Sequence, residues 1–123
     1  MVALGRVDGH DRALAVRSAD IMLVPKWVGL VAVDALAAGV PIVTTRHPSH
    51  SPEFGYLVDG ENAIVTPHDV QSYAATVVAL LRDPGRRAAL GDRGRTDSAP
   101  YSIESMAERF TEGVTRWNKS QSN

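Results

Sequence analysis

Residues Asp20 to Thr45 constrain the fold of this chain more strongly than any other stretch. They contain a short apolar run that stops at Pro25 and end with a second apolar run, Ile42 to Thr45. Proline cannot donate to a strand ladder or continue a central strand, so the run from Ile21 to Val24 is predicted to be a strand that stops there. The second run is predicted to be the next strand.

The segment between the two runs is predicted to be a buried helix. It extends from Leu30 to Ala38 after Gly29, it is rich in Ala and Leu, and Gly39 follows as a C-terminal cap. Strand, helix and strand form a βαβ unit. Because both strands are continuous apolar runs, the sheet is predicted to be parallel and covered on both faces.

The start of this helix is a candidate binding site. Ligands of open parallel sheets bind at the carboxyl ends of the strands, and the helix offers backbone N–H groups to an anion there, next to Lys26. Asp34 is the only charged residue between Lys26 and Arg46, and it lies one turn after Leu30. A carboxylate is almost never buried without a partner, so Asp34 either contacts a polar ligand or marks the solvent edge of the helix. The residues alone leave both interpretations open.

Composition excludes several classes of function. The chain has 123 residues, 44% hydrophobic and 22% charged, which is typical of one ordinary globular domain. Thirteen basic and fourteen acidic residues leave a net charge of -1, which argues against an electrostatic binder of nucleic acid or membrane surfaces. With no cysteine, no signal peptide and no apolar stretch long enough to span a membrane, a cytoplasmic location is expected.

The other segments extend this pattern into an α/β fold whose Rossmann-like parallel sheet has about four strands. The additional strands are predicted at Val2 to Leu4 and at Ala63 to Val65, the latter after a turn that begins at Asp59. Further helices are predicted at Arg12 to Ser18 behind the cap Asp11, at a short turn beginning with Pro52-Glu53, behind the cap Asp69, and from Asp83-Pro84 onward.

The last helix is predicted to follow the cap Ser102 and to dock on a core, because its apolar residues fall on one stripe. These residues are Ile103, Met106, Ala107, Phe110, Val114 and Trp117. We expect one partial domain over residues 1–118, followed by a polar tail over residues 119–123.

The chain resembles the C-terminal part of the retaining glycosyltransferases of family four, which have the GT-B architecture of two facing Rossmann-like domains. The matching segments are Gly5-Arg6-Val7, Ala19-Asp20-Ile21, Pro25 with Gly29-Leu30, Asp34-Ala35, Ala38-Gly39-Val40-Pro41-Ile42-Val43-Thr44, Pro52-Glu53, Gly60-x-Asn62 and Leu81-Arg82-Asp83-Pro84. Their order and spacing are together fairly specific. The resemblance implies that the chain binds a nucleotide-sugar donor, a UDP- or GDP-sugar, without a metal or another cofactor.

The resemblance also implies roles for individual residues. The helix that begins near Gly29 would receive the diphosphate, with Lys26 and Arg6 as cations that stabilise the leaving phosphate. Asp34 stands where a glutamate usually binds the ribose hydroxyls, and Glu53 lies near the donor sugar. No catalytic residue is identified. The candidate substrate-binding residues are Gly5, Arg6, Lys26, Gly29, Leu30, Val31, Asp34 and Glu53.

Several departures from the family pattern limit the expected function. Lys26 replaces the first of two glutamates, and Ala63 replaces the glycine expected after Asn62, which would strain a turn that needs a positive φ. The acceptor domain and the first βα units of the donor domain have no counterpart in the chain. It is therefore expected to be the donor-binding portion of a glycosyltransferase, inactive alone.

Missing βα units would leave a sheet edge exposed beside Val2 to Leu4. We therefore expect a homo-oligomer, most simply a twofold dimer, or an acceptor domain as partner. The alternative function is a non-catalytic dimeric interaction module derived from the same fold. A sugar-nucleotide epimerase is less well supported, because no acidic pair lies near the loop.

Other polar and aromatic residues admit two interpretations each. His47, His50 and Glu53 have a spacing that suggests metal ligands, but no further ligand fixes them, and we favour a loop that lines the donor cleft. Trp27 either stacks on a base or sugar or covers the core. A solvated helical face is the simplest interpretation of the arginines at positions 86, 87, 93 and 95.

Overall fold

The computed structural model describes residues 9–29, 31–48, 50, 52–101 and 103–121. The elements are α1 (Gly9–Arg17), β1 (Met22–Val24), α2 (Val31–Ala38), β2 (Ile42–Thr45), a 3-10 helix (Pro52–Tyr56), β3 (Ala63–Thr66), α3 (Val70–Leu81), α4 (Pro84–Ser98), a second 3-10 helix (Ala99–Tyr101) and α5 (Ile103–Gln121). The predicted α/β fold is confirmed. The strand predicted at Val2 to Leu4 lies outside the described residues.

The three strands form one parallel sheet in the order β1-β2-β3. Met22 pairs with Ile42, and Ile42 pairs with Ala63, so the strands start level with one another. The carboxyl ends of the strands therefore meet at one edge of the sheet, as the βαβ pattern predicts.

Both faces of the sheet are covered at the central strand β2, as its continuous apolar run predicts, whereas Leu23 of β1 is 52% exposed. Every residue of β2 is buried, and neighbouring side chains enter different cores. Ile42 packs with Leu36 of α2 on one face. Val43 packs with Leu80 of α3 and Leu90 of α4 on the other. The packing against β2 therefore fixes α2 beside the sheet.

Helix α2 ends at the predicted glycine cap. Gly39 has a φ of 72°, the left-handed conformation that glycine adopts without a steric penalty. The N–H of Val40 bonds to the carbonyl of Ala35 at 2.9 Å, and the N–H of Gly39 bonds to the carbonyl of Leu36 at 3.1 Å. These two bonds form a Schellman cap, which satisfies carbonyls at the end of the helix.

Helices α3 and α4 begin at the predicted carboxylate caps. Asp69 accepts the N–H of Ser72 at 2.7 Å, and Asp83 accepts the N–H of Arg86 at 3.0 Å. Pro84 occupies the first turn of α4, where its missing N–H has no helical partner to lose.

Helix α4 approaches the end of α2 closely because it carries glycine at the contact. Gly91 and Gly94 are both buried. A Cβ atom on Gly91 would overlap the carbonyl oxygen of Gly39, and one on Gly94 would lie 3.2 Å from Cδ2 of Leu36. The two helices can therefore keep this distance only if position 91 has no side chain.

Two local predictions are wrong in detail. Helix α1 begins at Gly9 rather than after Asp11. Asp11 lies in the first turn of the helix, where its negative charge interacts favourably with the helix dipole. The strain expected at Ala63 is not found, because Ala63 begins β3 and the turn takes its positive φ of 81° at Gly60.

The predicted docking of the last helix is also wrong. Phe110, Val114 and Trp117 are 74%, 42% and 62% exposed, and α5 contacts the 3-10 helix Ala99–Tyr101. An amphipathic stripe shows that a face favours burial, but it does not show that the same chain supplies the covering surface. None of the helices in the described part of the chain has the length and apolar character needed to cross a membrane.

The arginines of α4 do more than form a solvated face. Nη1 of Arg87 donates to the carbonyl of Leu80 at 2.8 Å, at the end of α3. Arg93 lies 3.0 Å from Asp97 and 3.3 Å from Glu61. These side chains connect α4 to α3 and to the turn before β3.

Candidate functional site

Two loops meet at the carboxyl edge of the sheet. Residues 25–29 form the β1–α2 loop, and residues 46–51 follow β2. The N–H of Val28 in the first loop donates to Nδ1 of His50 in the second at 2.9 Å. The prediction that both loops share one edge is therefore confirmed.

His50 uses both of its ring nitrogens inside the chain. Nδ1 accepts the N–H of Val28, and Nε2 lies 2.6 Å from the carbonyl oxygen of Thr45. Only a neutral imidazole with its hydrogen on Nε2 can accept at one nitrogen and donate at the other in this way. The ring also stacks on Phe54, with centroids 4.3 Å apart and planes 9° from parallel. His50 thus joins the β1–α2 loop, the end of β2 and the 3-10 helix Pro52–Tyr56.

Thr45 binds the other end of the same loop. It is 3% exposed, and its Oγ1 donates to the carbonyl oxygen of Pro25 at 2.6 Å. Because the hydroxyl has one hydrogen, Nδ1 of His68, 2.7 Å from Oγ1, is the donor in that pair. Both ends of the β1–α2 loop are therefore connected to the last residue of β2.

The loop held in this way carries a residue in an unusual conformation. Trp27 has a φ of 60°, which residues other than glycine rarely adopt. Its side chain is 67% exposed, so the interpretation in which Trp27 covers the core is wrong. Nζ of Lys26 lies 5.4 Å from the centroid of the Trp27 ring, within the range of a cation–π contact.

Positive and titratable groups gather beside the loop. The ring centroid of His47 lies 4.6 Å from that of His68 and 6.4 Å from that of His50. Desolvation lowers the pKa of His47 below its ordinary value, and the nearby His68, Lys26 and His50 lower it further. An anion bound near His47 would favour its charged form and raise that pKa.

His50 is not available as the metal ligand that its spacing suggested. Within the described residues, no group of three or more histidine, cysteine or acidic side chains is arranged to hold a metal ion. Both nitrogens of His50 are already engaged by Val28 and Thr45. His50 therefore connects the β1–α2 loop to β2, and its ring nitrogens are not open to a metal.

Four of the predicted substrate-binding residues lie close together in sequence and structure. Lys26 and Gly29 belong to the β1–α2 loop, and Val31 and Asp34 lie in the first turn of α2, where Asp34 is half-buried. Glu53 belongs to the 3-10 helix Pro52–Tyr56, which packs against α2. The other three, Gly5, Arg6 and Leu30, lie outside the described residues.

The hydrogen-bonding roles of Thr45, His68 and His50 were not predicted from the sequence. The sequence indicates only where these residues lie. Thr45 is the last residue of β2, and His50 and His68 follow β2 and β3, whose carboxyl ends lie at the same edge of the sheet. The sequence does not show which ring nitrogen faces which backbone group, because that depends on the left-handed conformation of Trp27.

Comparison with known proteins identifies the family. The profile of the family described as "Glycosyl transferases group 1" matches residues 1–83. The chain is 32% identical over 123 residues to the GDP-mannose-dependent monoacylated alpha-(1-6)-phosphatidylinositol monomannoside mannosyltransferase of Corynebacterium glutamicum, covering 88% of this chain and 30% of that protein. It is 38% identical over 103 residues to the MMP alpha-(1->4)-mannosyltransferase of Mycolicibacterium hassiacum, covering 80% of this chain and 25% of that protein.

Solved structures share the fold. The sucrose-phosphate synthase of Thermosynechococcus elongatus matches with a TM-score of 0.79 at 23% identity, over 95% of this chain and 30% of that one. Anabaena HepE in complex with UDP matches with a TM-score of 0.66 at 17% identity, over 83% and 29%. The C-terminal domain of the group 1 glycosyltransferase LpcC of Francisella tularensis matches with a TM-score of 0.67 at 24% identity, over 81% and 53%.

The chain spans less than a third of the curated relatives that it matches, 30% of the first and 25% of the other. The family profile covers more than half of the chain, and the parallel sheet agrees with the fold of the matched structures. The chain therefore belongs to the group 1 glycosyltransferases, as a C-terminal portion of the GT-B fold.

Proposed function

We propose that this chain is the donor-binding part of a glycosyltransferase and that it binds the diphosphate of a nucleotide-sugar at the start of α2. The observation that carries the proposal is the position of α2, which begins at the carboxyl edge of the sheet behind a fixed loop with Lys26. Helix N-termini in this position favour anions. Asp34, half-buried in the first turn, supplies a carboxylate for the ribose hydroxyls.

Two relatives support a UDP- or GDP-sugar as the donor. The Corynebacterium relative is described as dependent on GDP-mannose, and the matched structure of HepE contains UDP. Titration with both nucleotides distinguishes the two bases, and competition with their sugar conjugates identifies the sugar.

The proposed chemistry is departure of the diphosphate from the anomeric carbon. Negative charge accumulates on the leaving phosphate as that bond breaks, and backbone amides with nearby cations stabilise it. The amides of Gly29, Leu30 and Val31 and the cations Lys26 and Arg6 are the groups proposed for this role. Glu53 is proposed to lie near the donor sugar.

Calorimetric titration with UDP and GDP tests donor binding. Wild-type protein is expected to bind one of them, and Asp34→Ala is expected to weaken binding at least about tenfold, because hydrogen bonds to a carboxylate are lost. Asp92→Ala is the matched control, since Asp92 pairs with Arg95, whose guanidinium lies against Gly39 at the opposite end of α2. If wild-type protein binds neither nucleotide, the proposal is wrong.

A second candidate function is self-association through α5. Phe110, Val114 and Trp117 follow one another at intervals of four and three residues, so they share one helix face, and all three are exposed. Residues beside this face include the uncharged Thr111 and Asn118. A twofold contact between two copies would therefore bury apolar side chains without opposing like charges at these positions.

Light scattering with size-exclusion chromatography tests this second function. Wild-type protein at micromolar concentration is expected to have the mass of a dimer, and Phe110→Glu is expected to be monomeric because a charge on the apolar face cannot be buried unpaired. Thr115→Glu, on the opposite face of α5, is the control and should remain dimeric. A monomeric wild-type protein would exclude self-association.

A further inference from the structure

The β1–α2 loop needs an external constraint to keep its shape. Trp27, near its middle, has a left-handed φ of 60°. A bulky residue persists in that conformation only where the surrounding structure holds it there. The carbonyl of Gly29, at the end of this loop, accepts the N–H of Ala32 in the first turn of α2 at 3.0 Å, so the shape of the loop affects where the first backbone N–H groups of α2 lie.

Two attachments on either side of Trp27 provide this constraint. The N–H of Val28 donates to Nδ1 of His50 at 2.9 Å, and the carbonyl of Pro25 accepts from Oγ1 of Thr45 at 2.6 Å. Nε2 of His50 in turn lies 2.6 Å from the carbonyl oxygen of Thr45. The loop, His50 and Thr45 therefore form a closed set of hydrogen bonds around the strained residue.

We infer that His50 is a positioning residue for nucleotide-sugar binding, which holds the β1–α2 loop so that the start of α2 can receive the diphosphate. This inference rests on the proposed function. His50 acts through Val28 and need not touch the donor, because both of its ring nitrogens are engaged within the chain. To hold the loop in this way, His50 needs the hydrogen-bond acceptor at Nδ1.

Packing of the ring can be separated from its hydrogen bonds by two substitutions. His50→Phe keeps a planar ring for the stack on Phe54, whose present centroid distance is 4.3 Å, but it removes the acceptor. His50→Asn loses the ring but places a carbonyl oxygen close to the position of Nδ1, where it can accept the N–H of Val28. A residue that acted only through packing would be replaced better by Phe than by Asn.

Amide hydrogen exchange and nucleotide titration on the full chain test the inference. In nucleotide-free protein, His50→Phe is expected to accelerate exchange of the Val28 amide at least about tenfold, because that amide loses its acceptor. The same variant is expected to weaken UDP or GDP binding about tenfold, and His50→Asn should recover most of both losses. Fluorescence of Trp27, read in a Trp117→Phe background, should change with His50→Phe and return with His50→Asn.

The outcomes separate failure of this inference from failure of the proposed function. If wild-type protein and His50→Phe exchange the Val28 amide equally fast, or if Phe replaces His50 better than Asn does, the positioning role is wrong while nucleotide binding stands. If wild-type protein binds neither UDP nor GDP, the proposed function fails and takes the role in donor binding with it.

Discussion

The side-chain amide of Asn62 donates a hydrogen bond of 2.9 Å to Oδ2 of Asp97, which follows it by 35 positions. The same nitrogen donates to the carbonyl of Tyr56 at 3.1 Å, and Oδ1 accepts the N–H of Val58 at 2.7 Å. Asn62 is 1% exposed, so water cannot replace these partners. The asparagine of the Gly-x-Asn motif therefore closes the turn before β3 and connects it to α4.

Asn62→Ala is predicted to lower the free energy of unfolding by about 2–3 kcal/mol, because it leaves buried polar groups without partners. Denaturant unfolding followed by circular dichroism measures the change. Gln71→Ala, at an exposed position of α3, is the control and should lie within about 0.5 kcal/mol of wild type. Equal stability of the two variants would mean that the Asn62 hydrogen bonds contribute little.

Gly91→Ala is predicted to destabilise the fold by about 1–3 kcal/mol, because the added methyl group overpacks the contact between α4 and α2. Its Cβ would overlap the carbonyl oxygen of Gly39, which is backbone and cannot rotate away. Thermal and denaturant unfolding measure the loss. Gly113→Ala in α5 is the matched control, since its Cβ meets no atom within 4 Å. That control should be neutral or stabilising by up to about 1 kcal/mol, because alanine favours a helix more than glycine does. Destabilisation of the same size by both changes would mean that the loss at position 91 does not come from the contact with Gly39.

Much of the fold could be predicted because its signals are local. The apolar runs bounded by Pro25 and Gly39 predict β1, α2 and β2, and the carboxylates Asp69 and Asp83 predict where α3 and α4 begin. The partner of α5 could not be predicted in this way. Its stripe around Phe110 shows only that a face favours burial, and the covering surface is not encoded within the helix.

The sequence predicts at which edge of the sheet the candidate site lies, but it does not predict the hydrogen bonds within the site. Strand order places the loops after β1 and β2 at that edge, so the sequence indicates that Lys26 and His50 belong to the same region. It does not indicate that Trp27 adopts a positive φ, since non-glycine residues rarely do so. Without that conformation, the hydrogen bond from Val28 to His50 could not be foreseen.

Asp69 is predicted to make stability depend on pH. Its pKa lies below the ordinary value because its carboxylate accepts the N–H of Ser72 at the start of α3. Since the folded pKa is lower than the unfolded one, this contribution is present above the unfolded pKa and is lost as the pH falls through the folded pKa. Asp69→Ser keeps a capping oxygen that does not titrate. Between about pH 5 and pH 2, the melting temperature of wild type should therefore fall more steeply than that of Asp69→Ser, whereas parallel curves would contradict the prediction.

Nucleotide binding is predicted to be accompanied by proton uptake at His47. In the free chain, desolvation and then the nearby His68, Lys26 and His50 hold the pKa of His47 below its ordinary value of 6.5. A diphosphate at the start of α2 adds negative charge near Lys26, which favours the protonated imidazole and raises that pKa. At pH 6.5 the imidazole is therefore mostly neutral before binding and gains protons on binding.

Calorimetry in two buffers with different ionisation enthalpies measures this uptake, because protons taken up by the protein are released by the buffer. The apparent binding enthalpy at pH 6.5 should differ between the buffers for wild type, and the difference should shrink for His47→Gln. His10→Gln in α1 is the control and should behave like wild type. If the binding enthalpy is the same in both buffers while the nucleotide still binds, the diphosphate lies too far from His47 to alter its charge, and the anion site would have to be moved away from the β1–α2 loop.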